Sequence, residues 1–476
     1  MAVTTAWLSE PEQEAVVEQA VRVLDEVGMR FAGSATLATL AEAGCRVAPE
    51  SGLVRFPADV VRRAVAQAPR SFVMAGARPE RDVTLGPGAG PFFCPSGCAA
   101  GTLDDEIGVR RPSTLEDLRR ATLLNEAAAE LDVMWTMVTA NDVPLERREL
   151  VEYFTVLTNT TKHVVFVDCP TEVEAVRHII EVLSGDLQRF RARPRLTTLC
   201  TAASPLQVDG RVFDVHVSFA RLGAPIKLYS MAIGGATAPV TLAGVLVQSV
   251  AELLGMVTAM QLAVPGARVV CCCGSGVLDM RFGTFALGSA EQTIVTASAV
   301  EVCHALGLPA LVSAMSTDAR HPGMHAGIEK ALKALATCSA GPDLVSGWGM
   351  LDTSNLLFLP QIVVDDELAA MVRRLLRGLD PGDIAASTGL IAAAGPGGNY
   401  LAQKETARRV RAGEYLAPRV FVRPAYEQWL AAGQTEVDVA RERMREMLAA
   451  QEAKGPALDD DQLRELRAIC RIDAGC

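Results

Sequence analysis

A (β/α)8 barrel with an N-terminal α+β appendage and a C-terminal helical tail is the fold this sequence predicts. Three observations carry it. Eight short apolar runs alternate with helical segments between residues 131 and 405. Each run has the length and composition of a strand buried on both faces, and eight such units suit a closed barrel. The best-defined unit, Pro309 to Met350, reads as strand, polar loop, helix, strand, the signature of a parallel crossover. An open doubly wound sheet is the rival, but no Gly-x-Gly-x-x-Gly opens a helix after the first run.

The elements follow in order. Ser9 with Glu12 forms a capping box, Pro11 suits the first helical turn, and Gly28 ends that helix. Further helices are predicted at Ser34–Ala43 and Pro57–Ala68, with a hairpin in Ser71–Gly90 and a helix at Thr114–Ala129. Residues 1–130 read as the appendage. The barrel, 131–405, takes strands at Leu131–Val138, His163–Cys169, Arg195–Ala202, Ala224–Met231, Arg268–Gly274, Pro309–Ser316, Asp343–Met350 and Ile384–Ala394. Residues 406–476 are a tail of amphipathic helices, suited to packing on the barrel or on a second subunit.

Composition excludes several classes. Half of the 476 residues are hydrophobic and the net charge is −11, which argues against nucleic acid. Twelve scattered cysteines do not resemble a disulfide framework, and a reducing cytoplasm is the simpler home. The start lacks a basic stretch followed by an apolar run. Thr241–Val264 is apolar but interrupted by Gln248, Glu252 and Gln261, so a buried helix is expected rather than a membrane span.

In a barrel the site lies at the strand C-termini. That rule gathers Asp168, Tyr229, Asp318, His321, Trp348 and Asn399, among others. Trp348 stands between two glycines at a strand end, where an indole can face a quaternary ammonium or simply fill a core. His321, His325 and Glu329 repeat at four-residue spacing and are weak metal candidates; Pro322 puts His321 outside the helix, so no metal is expected. Gly395-Pro-Gly-Gly398 follows the last predicted strand, where barrels bind phosphate. A metal- or phosphate-dependent lyase or aldolase, or a barrel that binds without turnover, are the alternatives to the reading that follows.

Several stretches together resemble the trimethylamine methyltransferase superfamily, including members without pyrrolysine such as glycine betaine methyltransferase. They are Leu24-Asp-Glu-Val-Gly-Met-Arg30, Gly108-Val-Arg-Arg-Pro-Ser-Thr-Leu-Glu-Asp117, Gly234-Gly-Ala-Thr-Ala-Pro-Val-Thr-Leu-Ala-Gly244, Ser316-Thr-Asp-Ala-Arg320 with Ala326-Gly-Ile-Glu-Lys330, and Pro418 to Gly433. The resemblance implies methyl transfer from a methylated amine to cobalt in a corrinoid (cobalamin) carried by a separate protein. Apart from the resemblance, the amphipathic tail and the cysteine usage lead to the expectation of a homo-oligomer in the cytoplasm. The resemblance would put Trp348 and Tyr229 against the cation, Asp318 or Asp168 nearby, and His321, His325 or Asn399 on the substrate's other end. The pattern expects a glutamine where His325 stands and histidines near Asn399 and Glu405. Every position is a standard residue, so no step can rely on pyrrolysine.

Overall fold

The computed structural model describes residues 4–106, 108–166 and 172–472. Its centre is a barrel of eight parallel strands: β1 (Phe92–Pro95), β2 (Val133–Trp135), β3 (His163–Phe166), β4 (Leu196–Thr201), β5 (Ile226–Ser230), β6 (Val269–Cys273), β7 (Ala310–Val312) and β8 (Leu344–Trp348). Chain neighbours from β2 to β8 are sheet neighbours, and β8 returns to pair with β1. The remaining seam is two isolated parallel bridges, Phe93 to Leu131 and Ala99 to Val138. Asp132 reinforces it: its amide donates to Phe93 O at 2.9 Å and its carboxylate accepts from Phe93 N at 2.7 Å.

A helix follows every strand: α1 (Leu115–Ala127), α2 (Leu145–Asn159), α3 (Val173–Ser184), α4 (Gly210–Leu222), α5 (Leu242–Ala263), α6 (Ala290–Ala305), α7 (Met324–Cys338) and α8 (Leu359–Arg377). The ring explains the strand sequences. A run such as Val269-Val-Cys-Cys-Cys273 is buried throughout because the barrel interior and the helix layer are both dry. Helix α5 is long and apolar enough to cross a bilayer, yet 72% of its apolar window is buried. It packs against the N-terminal helix Glu10–Glu26, against Ala58–Gln67 and against α6.

Two expectations change. Ile384–Ala394, predicted as the eighth strand, lies in the helix Pro381–Ala394, capped by Asp380, whose side chain accepts from Gly382 N. A short alanine-rich apolar run has no period that separates strand from helix; Pro in the first turn and Ala thereafter settle it as helix. The missing strand is β1, from the stretch expected to be appendage. It is four residues long and flanked by Gly90-Pro91 and Ser96-Gly97, which read as loop. Helix α1, expected in the appendage, therefore belongs to the barrel's ring.

The two ends of the barrel differ. At the strand N-termini the hairpin Phe72–Met74 and Val83–Leu85 seals the cylinder, with Phe72, Met74, Val83 and Leu85 packed on the interior side chains. Gly86 N donates to Asp343 Oδ1 at 2.8 Å and Ala77 N to Thr161 O at 2.7 Å, which ties the hairpin to the starts of β8 and β3. At the strand C-termini two small sheets form a rim. One joins Gly101–Leu103 and Arg110–Pro112 to Met350–Leu351 and Leu356–Leu357; the other joins Ile233–Gly234, Gly276–Asp279 and Thr284–Ala286.

Candidate active site

Alternate residues of each strand face inward. Cys94, Val133, Trp135, Val165, Leu199, Tyr229, Val270, Cys272, Leu311 and Leu344 form one interior cluster, separate from the larger core under the helices. Leu199 and Tyr229 are partly exposed, and Thr201, one step further along β4, is exposed. With the hairpin sealing the other end, solvent reaches the Tyr229 level from the strand C-termini. Tyr229 Oη and Ser313 Oγ share a hydrogen bond of 2.7 Å across the interior, and Ser346 Oγ lies 3.4 Å from Ser313 Oγ. Burial pushes the Tyr229 phenol up, so it stays protonated. Gly274 leaves the room this ring needs: a Cβ there would lie 2.3 Å from Tyr229 Oη.

One strand step below Tyr229 is Lys227. It is 0% exposed and its Nζ has no hydrogen-bond partner. Nζ lies 3.4 Å from the centroid of the Trp135 ring. Burial holds its pKa below the usual lysine value. The nearby thiols of Cys94 and Cys272 are held protonated by burial, Cys94 at about 11 and Cys272 higher still. The other three buried lysines are all partnered. Lys162 donates to Asn125 O and Ala128 O, Lys330 to Met315 O, Gly347 O and Asp365, and Lys333 to Leu287 O.

The rim is fixed by two carboxylates, Glu252 buried and Asp318 half-buried. Glu252, on α5, accepts from Ser204 Oγ at 2.8 Å, Leu206 N at 2.9 Å and Ser230 Oγ at 2.7 Å, joining the ends of β4 and β5. Asp318 accepts from Leu287 N and Gly288 N, both at 2.9 Å, and from Thr353 Oγ1 at 3.0 Å. It thereby ties the loop after β7 to both small sheets. The Thr353 turn holds Asp352, Thr353 and Ser354 at φ of 47°, 57° and 64°, strain that persists only where the surroundings over-determine the backbone.

The structure places the residues predicted for the site as follows. Tyr229 faces the interior. Asp318 is on the rim, where three donors occupy its carboxylate. Trp348 faces the other way. Between Val345 and Trp348 the β8 ladder shifts register, so Trp348 pairs with Pro95 and falls on the same side as Val345 and Phe93. It is 0% exposed, its ring centroid lies 6.2 Å from that of Phe93, and it belongs to the core under the helices. Gly347 makes the bulge possible at φ 110; a Cβ there would meet Ser316 N at 2.3 Å. Trp348 and Tyr229 thus lie on opposite sides of the barrel wall.

His321 is exposed, with Nδ1 donating to Pro322 O at 2.8 Å. His325 is 62% exposed and bonds Glu329 Oε1 at 2.7 Å. Glu329 also accepts from Thr317 Oγ1 and Asp318 N, which holds its pKa down against burial. His321 does not join this pair, and among the described residues no three His, Cys, Asp or Glu side chains gather as a metal-binding group. Asn399 is exposed and accepts from Leu401 N at 2.7 Å. It stands between the helices Pro381–Ala394 and Lys404–Arg411, and the chain after the second is tied through Gly413 and Glu414 to Arg377 and Arg374 at the C-terminus of α8. Helix C-termini in this barrel lie beside the strand N-termini, away from the mouth. Gly395–Gly398 follows a helix rather than a barrel strand, so it has no place in a phosphate site at the rim. Asp168 lies outside the described residues.

Sequence reasoning passed over Lys227, Trp135 and Ser313. One signal was available. In Ile226-Lys-Leu-Tyr-Ser230 a lysine interrupts a strand expected to be buried on both faces, so its amine has to end in a dry place on either side.

A sealed base, an open rim and polar groups held at two levels inside define a barrel enzyme with its site at the strand C-termini. The chain matches the protein family described as trimethylamine methyltransferase (MTTB) over residues 2–472. It is 30% identical over 465 residues to trimethylamine methyltransferase MttB1 of Methanosarcina mazei, covering 96% of this chain and 93% of that protein. It is 26% identical over 467 residues to glycine betaine methyltransferase of Desulfitobacterium hafniense, covering 97% and 96%. Among solved structures, the monomethylamine methyltransferase of Methanosarcina barkeri aligns at 12% identity with a TM-score of 0.49, covering 92% of this chain and 94% of that one. The chain belongs to the trimethylamine methyltransferase family and is a methyltransferase of that class.

Proposed function

We propose that this protein moves a methyl group from a quaternary or other methylated amine, a betaine such as glycine betaine, to the cobalt(I) of a corrinoid held by a separate protein. The observation that carries the reading is end-to-end similarity to both a trimethylamine and a glycine betaine methyltransferase, in a chain whose every position is a standard residue. A quaternary ammonium already has its leaving group. When the methyl carbon is attacked by cobalt(I), the carbon–nitrogen bond breaks and its electron pair stays on nitrogen, which departs as a neutral amine. No proton is needed for that departure. A tertiary amine lacks this advantage.

The protein's task is then placement. The barrel interior holds the donor, the Tyr229 ring and phenol sit at the level solvent reaches, and the open rim admits the partner's cobalt. Buried Cys94, Cys272 and Trp135 keep water from the lower level.

Association with a second copy of the chain belongs to the same reading. The helix Pro381–Ala394 has no buried residue, and Ile384, Ile391 and Leu401 are 64%, 60% and 86% exposed. An apolar helix with most of its residues exposed is the kind of surface that oligomers cover. The test of the activity is direct. Purified protein is mixed with a cobalt(I) corrinoid protein and a panel of methylated amines, and the cobalt spectrum is followed. Formation of the methylated corrinoid with at least one quaternary amine is expected; no change with any of them would sink the proposal.

A further inference from the structure

Among the described residues, the interior of the barrel contains a basic group and no acid. Lys227 Nζ is buried, aimed across the cylinder at Trp135, and without a hydrogen-bond acceptor. The titratable and polar side chains that face it are Cys94 on β1, His163 on β3, Tyr229 on its own strand, Cys272 on β6, and the hydroxyls of Ser313 and Ser346 on β7 and β8. Among the described residues none is a carboxylate. His163 is occupied at both nitrogens, donating from Nδ1 to Ala75 O at 3.1 Å and accepting from Thr197 Oγ1 at 2.9 Å. The Tyr229 hydroxyl is engaged with Ser313.

An amine left this way is costly unless something completes it. The other buried lysines have carbonyl or carboxylate acceptors supplied by the chain. Lys227 has none, and it lies one strand step, about 6–7 Å, below the level that solvent reaches. The acceptor has to come down the barrel. We propose that Lys227 anchors a carboxylate of the substrate, so that the substrates of this site are zwitterions carrying a methylated ammonium and a carboxylate a few bonds apart.

This deepens the methyl-transfer reading and rests on it. It also gives that reading an orientation. With the carboxylate down on Lys227, the ammonium lies at the Tyr229 level and its methyl groups point toward the open rim. That is the side from which a partner's cobalt has to approach, because the hairpin closes the other end. A substrate with no carboxylate would leave the amine unsatisfied and could bind either way up. The carboxylate arrives as an anion and pairs with the buried amine through charge-assisted hydrogen bonds, with no bond made or broken to carbon.

The experiment is calorimetry on the full-length protein. The ligands are glycine betaine and choline, which share the trimethylammonium group and differ in carboxylate against hydroxyl. Glycine betaine is expected to bind at least about tenfold more tightly. Lys227→Gln should abolish the preference while its melting temperature reports that it is folded. If that variant does not fold, the comparison of the two ligands on the wild-type protein decides alone. Equal affinity for the two ligands, or no betaine binding, would overturn the anchor. The underlying reading fails separately: methyl transfer from choline or tetramethylammonium as fast as from glycine betaine would refute the anchor and leave methyl transfer standing, whereas no transfer from any methylated amine would refute the reading beneath it.

Discussion

Lys227 and Trp135 meet across the barrel, the amine of β5 lying 3.4 Å from the centre of the indole on β2. Neither is visible to solvent, at 0% and 2% exposed, and the amine has no acceptor. A contact with an aromatic face offsets little of the cost of burying an amine that has lost its water.

A stability measurement follows from that imbalance. Lys227→Met keeps the length of the side chain and removes the unsatisfied nitrogen. It is expected to raise unfolding free energy by about 1–3 kcal/mol in denaturant titration, while weakening betaine binding. A lysine kept for the fold alone would give the opposite sign, a loss of stability.

Trp348 gives a contrasting result. It packs on Phe93 under α8, on the far side of the wall from Tyr229. Trp348→Phe is expected to cost about 1–3 kcal/mol of stability and to leave the dissociation constant for glycine betaine within about twofold. Tyr229→Phe, measured beside it, should weaken binding, because its hydroxyl lies in the interior with Ser313.

The bulge that turns Trp348 outward depends on a buried ion pair. Lys330 Nζ donates to Gly347 O at 3.0 Å and to Asp365 Oδ2 at 2.8 Å, and Asp365 also accepts from Gly349 N and Gln361 Nε2. Asp365→Ala strands a buried charge and two donors. The expected loss is about 3–5 kcal/mol, read as a fall in the denaturation midpoint.

This ion pair bears on how much the sequence disclosed. Seven barrel strands were legible because a strand buried on both faces is apolar throughout and ends in turn residues. β1 was not, since four residues between Gly90-Pro91 and Ser96-Gly97 look like loop, and its pairing with β8 is non-local. The geometric rule that collects strand C-termini found Tyr229 and Asp318 but could not tell which side of the wall Trp348 would face. One extra residue in β8, at Gly347, decides that. Counting alternate positions along β5 points at Lys227, yet only the assembled barrel shows that nothing inside it accepts from the amine.

Acid should unfold the protein through two buried histidines. Burial pushes His163 down to about 3 and His216 down to about 4. In the unfolded chain each titrates near the ordinary value of about 6.5. Between those values the unfolded state binds more protons, so stability falls as pH falls, and the contribution is fully present only above about pH 6.5. The expected loss is on the order of 3–5 kcal/mol per histidine by pH 4 to 3, with other groups adding to it. Melting temperature against pH checks this, and His216→Phe or His163→Gln should flatten the slope between about pH 6.5 and 4.

The most direct measurement is of the reaction itself. The full-length protein, a cobalt(I) corrinoid protein and glycine betaine are combined without oxygen, and both the cobalt spectrum and the amine product are followed. The account predicts one methylated corrinoid formed for each dimethylglycine released, and no such change when the barrel protein is left out. An unchanged cobalt spectrum with glycine betaine and every other methylated amine, using protein shown to be folded, would contradict it.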